Sequence, residues 1–217
     1  MPQVVTTGPG PLPRLYAIVD VEVCAHAGRL PRDVARAYVH GGARLLQLRA
    51  KRLASGAFLD LAAAIVEDAA AAGATVIVND RADVAVLAAA AGVHVGQEDL
   101  TPVDVRRVTG HDMIVGLSTH TVAQLSDALE SPISYLAVGP VFATATKATG
   151  FEPVGYRAIA RAAARAGPLP VVGIGGITLE TAAQVIAAGA ASVAVISDLL
   201  TGDPEARVRS YLQRLAG

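Results

Sequence analysis

The stretch Leu45-Leu46-Gln47-Leu48-Arg49-Ala50-Lys51 decides the fold class. A strand with one wet face alternates apolar and polar residues from end to end, whereas a strand buried on both faces reads as a nearly continuous Leu/Ile/Val run. This segment begins in the second way and collects its polar groups toward its C-terminal end. Side chains alternate along a strand, so Gln47, Arg49 and Lys51 share one face, and Leu46, Leu48 and Ala50 take the other.

Working outward, the same form recurs along the chain. Strands are expected at Leu15–Asp20, Leu45–Lys51, Thr75–Asp80, Gly92–Gln97, Met113–Thr119, Ser134–Pro140, Pro170–Gly176 and Ser192–Asp198. A helical pattern follows each. Thr101-Pro102 and Asp203-Pro204 supply an N-cap followed by proline at the first helical position. Thr121 with Gln124 has the capping-box spacing. Gly41, Gly73, Gly92, Gly110, Gly167 and Gly189 fall where helices should stop. Eight strand–helix units in 217 residues predict an α/β protein, a closed (β/α)8 TIM barrel in one domain over 14–217. A doubly wound open sheet is the structural alternative. The Pro/Gly/Thr-rich segment Met1–Pro13 reads as a flexible tail. No internal linker or low-complexity segment interrupts the alternation.

Composition narrows the function classes. Hydrophobic residues make up 53% of the chain and aromatics 4%, so the core is built of Ala, Val, Leu and Ile. A net charge of −1 gives no electrostatic footprint for nucleic acid or an anionic membrane. An anion site must come from local placement of a few cations. The single cysteine, Cys24, cannot form an intrachain disulfide, which fits a reducing cytoplasm, and it reads as an incidental loop thiol. No apolar run reaches membrane-spanning length, and no secretion signal is expected at the N-terminus.

In such a barrel, active groups lie at the C-terminal ends of the strands. Two cations and an amide on the face of Gln47, Arg49 and Lys51 are costly to place in a barrel mouth unless an anion binds there. The alternative is that Arg49 and Lys51 reach past the strand end to solvent. The third strand ends in Asn79-Asp80, and the fourth leads through His94 to Asp99. Two carboxylates from neighbouring strand ends could share a hard cation, Mg2+, and so stabilise a diphosphate as a leaving group. Taken singly, Asp80 could pair with Arg81 or cap the next helix, and Asp99 could cap the helix near Thr101.

Ser118 and His120 share a face at the end of the fifth strand. His120 reads as a substrate contact or a partner for a neighbouring carbonyl rather than a proton-transfer group. His94 reads as a buried, hydrogen-bonded group beneath the site. From Val141 to about Pro153 no regular pattern is visible, which predicts a functional lid. In it, two hydroxyls, Thr144 and Thr146, and Lys147 suit phosphate oxygens, and Gly150 offers a hinge; a solvated surface loop is the alternative. The seventh strand ends in Gly173-Ile174-Gly175-Gly176-Ile177 and the eighth in Val195-Ile196-Ser197. Barrel phosphate sites commonly use these two loops. Asp198 would repel a phosphate if it pointed inward, but alternation from Ser197 directs it elsewhere.

These segments, taken together and in order, resemble the thiamine phosphate synthases (thiamine-phosphate pyrophosphorylases). The resemblance runs from about Leu15 to Leu200 and rests on Gln47–Lys51, Val78-Asn79-Asp80, Gly92–Leu100, Gly116–Thr121, Gly139–Phe142 with Thr144, Thr146 and Lys147, Gly173–Ile177 and Ile196-Ser197. It implies a cytoplasmic transferase of thiamine biosynthesis. The enzyme would join 4-amino-5-hydroxymethyl-2-methylpyrimidine diphosphate to thiazole phosphate, releasing pyrophosphate in a Mg2+-assisted, dissociative substitution. By position, Gln47, Arg49, Lys51, Asn79, Ser118 and Lys147 match the family's pyrimidine-diphosphate contacts, with Lys51, Ser118 and Lys147 in catalytic roles. Asp80 and Asp99 match its Mg2+ ligands. Thr144, Thr146, Gly176, Ile196 and Ser197 match the thiazole-phosphate site. The implied partners are small phosphorylated substrates, with neither nucleic acid nor membrane, and a homodimer is compatible with the sequence. Departures are Ala50, where the family usually has an acidic residue, Asp198, where a small residue is usual, and an uncommon lid sequence at Ala148–Pro153.

The nearest rival on the same scaffold is a TenI-like thiazole tautomerase, which would use His120 for proton transfer and needs no diphosphate or Mg2+ site. A non-catalytic phosphate-ligand-binding paralogue should have lost part of the cation and carboxylate set. Asp80, Asp99 and Lys147 together favour the synthase reading.

Overall fold

In the computed structural model, which describes residues 11–144 and 150–216, eight parallel strands close on themselves in sequence order. They are β1 (Leu15–Asp20), β2 (Leu45–Arg49), β3 (Thr75–Asn79), β4 (Gly92–Val95), β5 (Ile114–Thr119), β6 (Tyr135–Val138), β7 (Val171–Ile174) and β8 (Ser192–Val195). The last strand returns to the first, with Tyr16 opposite Ala194. Around them run α1 (Val21–His26), α2 (Pro31–His40), α3 (Ser55–Ala71), α4 (Ala82–Leu87), α5 (Pro102–Thr109), α6 (Val122–Leu129), α7 (Gly155–Ala166), α8 (Leu179–Ala187) and α9 (Pro204–Leu215). A 3-10 turn at Ser197–Leu200 joins β8 to α9. The chain is a (β/α)8 TIM barrel, not an open sheet.

Alternation along each strand sorts the core into two layers. Tyr16, Ile18, Leu45, Ile77, Ile114, Tyr135, Ala137, Val172 and Ala194 fill the barrel interior. Leu46, Leu48, Val78, Val93 and Val115 face outward into the larger layer shared with the helices. Leu12, placed in the tail by its composition, is half-buried against the interior layer. No described helix is long and apolar enough to cross a membrane.

Several local expectations need correction. The strands are shorter than their apolar runs: β2 stops before Lys51, β3 before Asp80, and β8 before Ile196. Lys51 and Asp80 thus lie just beyond the hydrogen-bonded ladder, where they pair with each other. Gly92 does not end a helix but lies within β4, where an added Cβ would meet the Ile114 carbonyl oxygen at 2.5 Å. The turn after α4 instead takes its positive φ, 52°, at Ala89, which no glycine signal marks. Cys24 is buried in α1, not in a loop. Burial, and then the nearby Asp20 charge, push its thiol up to about 12, so it is an inert packing group.

The caps at Thr101 and Asp203 accept the Asp104 and Ala206 N–H groups as the sequence predicts. At α6, Thr121 accepts the Gln124 N–H, but the Gln124 side chain reaches back to the N–H of His120 (2.8 Å) rather than to that of Thr121. This bond fixes the chain where β5 turns out of the barrel.

Candidate active site

A cavity of about 860 Å³ opens at the C-terminal ends of the strands. Asp20, Arg49 and Lys51 line one side, Ser118 and His120 another, and Thr144, Gly176, Ile196 and Ser197 a third. The alternation in β2 explains the first side. Gln47 lies deep, its Nε2 donating to the Tyr16 hydroxyl at 2.9 Å. One step up, the Arg49 guanidinium is hydrogen-bonded to the carboxylate of Asp20, its partner in register across β1 and β2. Asp20 also caps α1 by accepting the Val23 N–H at 3.0 Å. Arg49 is therefore held inward, not released to solvent. Lys51, beyond the strand end, sets its Nζ 2.5 Å from an Asp80 oxygen.

Asp80 adopts φ 63°, a left-handed conformation that aspartate tolerates better than most side chains. Its N–H donates to the His94 carbonyl at 2.7 Å, which ties the end of β3 to β4. Burial raises its carboxyl above the usual aspartate range; Lys51 pulls it down, while a hydrogen bond to the Asp99 carboxyl and the Asp99 charge push it up again. Asp99 also accepts the Gly96 N–H at 2.8 Å. The single-residue alternatives do not hold. Arg81 pairs with Asp83 (2.6 Å), and Thr101 rather than Asp99 caps α5.

This donor set fits a divalent cation. Two hard oxygen groups are held together against their repulsion, and the Lys51 ammonium already stands on one of them as a positive charge. Among the described residues, no three His, Cys, Asp or Glu groups converge. A cation at Asp80 and Asp99 would complete its shell with water and phosphate oxygens, which is the habit of Mg2+.

Ser118 ends the inward face of β5, its hydroxyl 2.8 Å from His94 Nε2. Its carbonyl accepts from the Gln97 side chain at 2.6 Å. His94 is buried and bonded on its other nitrogen to the Tyr135 hydroxyl (2.8 Å). His120 donates from Nδ1 to the Gly139 carbonyl at 2.5 Å and stacks on Phe151 with ring centroids 4.4 Å apart. It acts as a partner for a carbonyl. Asn79 is buried on β3, in register with His94.

The loops after β6, β7 and β8 pack on one another. The Val141 and Phe142 N–H groups donate to the Ile174 and Gly175 carbonyls. Gly176 has φ 66°, and a Cβ there would meet the Ala143 carbonyl oxygen at 2.5 Å. Glycine thus lets the loop after β6 close over the one after β7. Thr146 and Lys147 lie outside the described residues. Asp198 borders the cavity, but its carboxylate is taken up by Arg207 (2.8 Å), the Tyr211 hydroxyl (2.5 Å) and the Leu179 N–H.

The sequence reading missed Asp20 and the two interior tyrosines. Asp20 was within reach, because it ends β1 on the same face as Tyr16 and Ile18. Tyr16 and Tyr135 were not, because their contact joins residues 119 apart.

A family model described as thiamine monophosphate synthase matches residues 15–199. The chain belongs to the thiamine monophosphate synthase family. It is 44% identical over 206 residues to a thiamine-phosphate synthase of Koribacter versatilis, covering 94% of this chain and 96% of that one. It is 41% identical to the thiamine-phosphate synthase of Roseiflexus castenholzii, covering 95% and 91%. Among solved structures, the thiamine phosphate pyrophosphorylase of Pyrococcus furiosus superposes with a TM-score of 0.84 at 24% identity, covering 94% of this chain and 97% of that chain. At that identity the likeness speaks for the family's barrel fold alone.

Proposed function

We propose that this protein is a thiamine-phosphate synthase that joins 4-amino-5-hydroxymethyl-2-methylpyrimidine diphosphate to thiazole phosphate and releases pyrophosphate. The observation that carries the reading is the meeting of Lys51, from the cationic end of β2, with the Asp80–Asp99 pair at one edge of the mouth. A phosphate isomerase or a tautomerase has no use for that combination. The family match and the full-length likeness to proteins of that name support it.

The chemistry follows from the charges. Loss of pyrophosphate from a pyrimidine methylene needs little base catalysis and much stabilisation of the departing anion. Gln47, Arg49 and Asn79 would orient the pyrimidine diphosphate from the inner side. Lys51, Ser118 and Lys147 would meet its phosphate oxygens. Asp80 and Asp99 would hold Mg2+, whose positive charge lowers the cost of the leaving group. Thr144, Thr146, Gly176, Ile196 and Ser197 would hold the thiazole phosphate so that its ring nitrogen faces the methylene carbon. The loops after β6 and β7 would exclude water, which competes with the thiazole for that carbon.

The test is incubation with both substrates and Mg2+, with and without chelator, following thiamine phosphate. Product that requires both substrates and falls away in chelator is expected. Absence of product with both substrates and Mg2+ present would refute the reading, and full turnover in chelator would refute the metal role.

A further inference from the structure

The barrel interior contains a continuous run of polar side chains from β2 to the mouth. Gln47 Nε2 donates to the Tyr16 hydroxyl at 2.9 Å. The Tyr16 and Tyr135 hydroxyls lie 2.9 Å apart. Tyr135 meets His94 Nδ1 at 2.8 Å, and His94 Nε2 meets Ser118 Oγ at 2.8 Å. All five residues are buried, so each hydrogen bond left unmade would be costly. Burial raises both phenols well above their ordinary range, so they stay protonated. Gly116 makes room for the junction: a Cβ there would lie 2.5 Å from His94 Nδ1 and closer still to the Tyr135 ring.

A chain of this kind has two directions, of which the reverse requires the Gln47 amide to turn its oxygen toward Tyr16. Each phenol has one proton to give, and a neutral imidazole carries one proton on one nitrogen. With the Gln47 amide donating, Tyr16 gives its proton to Tyr135, Tyr135 gives its own to His94 Nδ1, and His94 donates from Nε2 to Ser118. The Ser118 hydroxyl, already accepting from below, then turns its own hydrogen toward the cavity. In the reverse direction Ser118 donates downward and shows the cavity a lone pair. An anion in the mouth favours the first direction and repels the second.

We propose that Gln47, Tyr16, Tyr135 and His94 form a one-way hydrogen-bond chain that positions Ser118 to donate its hydroxyl hydrogen to a phosphate oxygen of the departing pyrophosphate. The inference rests on the function proposed above for what occupies the mouth. Ser118 is the contacting group, and Tyr16, Tyr135 and His94 are positioning residues that act through it.

The test has a spectroscopic arm and a kinetic arm, both on the full chain. In nitrogen-15 spectra of the wild type with Mg2+ and pyrophosphate, His94 should be neutral, protonated on Nε2 and bare on Nδ1. A proton on Nδ1 overturns the proposal. This arm stands whichever organic substrates the enzyme uses, so its failure is distinct from a failure to make thiamine phosphate. In the kinetic arm, Tyr135→Phe should lower kcat on the order of tenfold, a fraction of the effect of removing an anion-stabilising donor outright, with KM little changed. Adding it to Ser118→Ala should cost nothing further, because Tyr135 acts only through that hydroxyl. Multiplying losses in the double variant would mark Tyr135 as merely structural and overturn the proposal. Tyr16→Phe, assayed against the same Ser118→Ala background, gives the same decision if Tyr135→Phe does not fold.

Discussion

Asp20 holds two groups at once, the first turn of α1 through the Val23 N–H and the Arg49 guanidinium across the strand pair. Asp20→Asn keeps an acceptor for the cap but gives up the charge. A hydrogen bond to a charged group is worth about 1.5–3 kcal/mol, so KM for the pyrimidine diphosphate should rise roughly tenfold or more. Steady-state kinetics check this, and an unchanged KM would show that Arg49 needs no anchor. This residue also marks the limit of sequence reading. Alternation places Asp20 inward, but only the register between β1 and β2 reveals that it meets Arg49. For Gln47 and Arg49, alternation within one strand was sufficient to put both on one face; Lys51 lies beyond the strand end. Asp80 and Asp99 were legible as candidates because they follow two successive strands. Their actual partners were not, since Arg81 and Thr101 stand next to them in sequence, whereas Lys51 is separated from Asp80 by α3 and β3 and meets it only in the fold.

At the scale of elements, the loops after β6 and β7 depend on the missing side chain at position 176. Gly176→Ala would force a Cβ against the Ala143 carbonyl at a backbone angle that L residues avoid. We expect a stability loss of about 1–3 kcal/mol and a raised KM for thiazole phosphate, with pyrophosphate binding retained. Kinetics and urea melts measure both, and an unaltered thiazole-phosphate KM would contradict the assignment of this loop. The outer helices give a second, independent check. Asp68 on α3 accepts from Arg32 and Arg36 on α2, and those bonds lower its carboxyl from 3.8 to about 2. A depressed carboxyl stabilises the fold above its ordinary pKa and loses that contribution as pH falls through the folded value. Asp68→Asn should therefore cost stability at neutral pH, by less than about 1 kcal/mol because the arginines are exposed and screened. The deficit should shrink between pH 3.8 and about 2. A deficit that is constant with pH would show that the pair does not contribute.

For the molecule as a whole, the eightfold strand–helix alternation was legible because a strand buried on both faces and an amphipathic helix leave different apolar periods. The exact strand ends were not, because a polar residue at the mouth reads the same inside the ladder or one step beyond it. Closure brings β1, β2, β3 and the β4–α5 loop around one opening, and with it Arg49, Lys51, Asp80 and Asp99. A chain of net charge −1 thereby gathers two cations at the mouth, each already paired with a carboxylate, without any global excess of basic residues. In the function proposed above, these cations would receive a diphosphate whose charge is shared with a cation on the two aspartates. Calorimetric titration of pyrophosphate, with and without Mg2+, into the wild type and the Asp80→Asn/Asp99→Asn double variant tests it most directly. The account predicts that Mg2+ tightens pyrophosphate binding to the wild type and that the double variant loses this dependence. Equal Mg2+ dependence in the two proteins would contradict it.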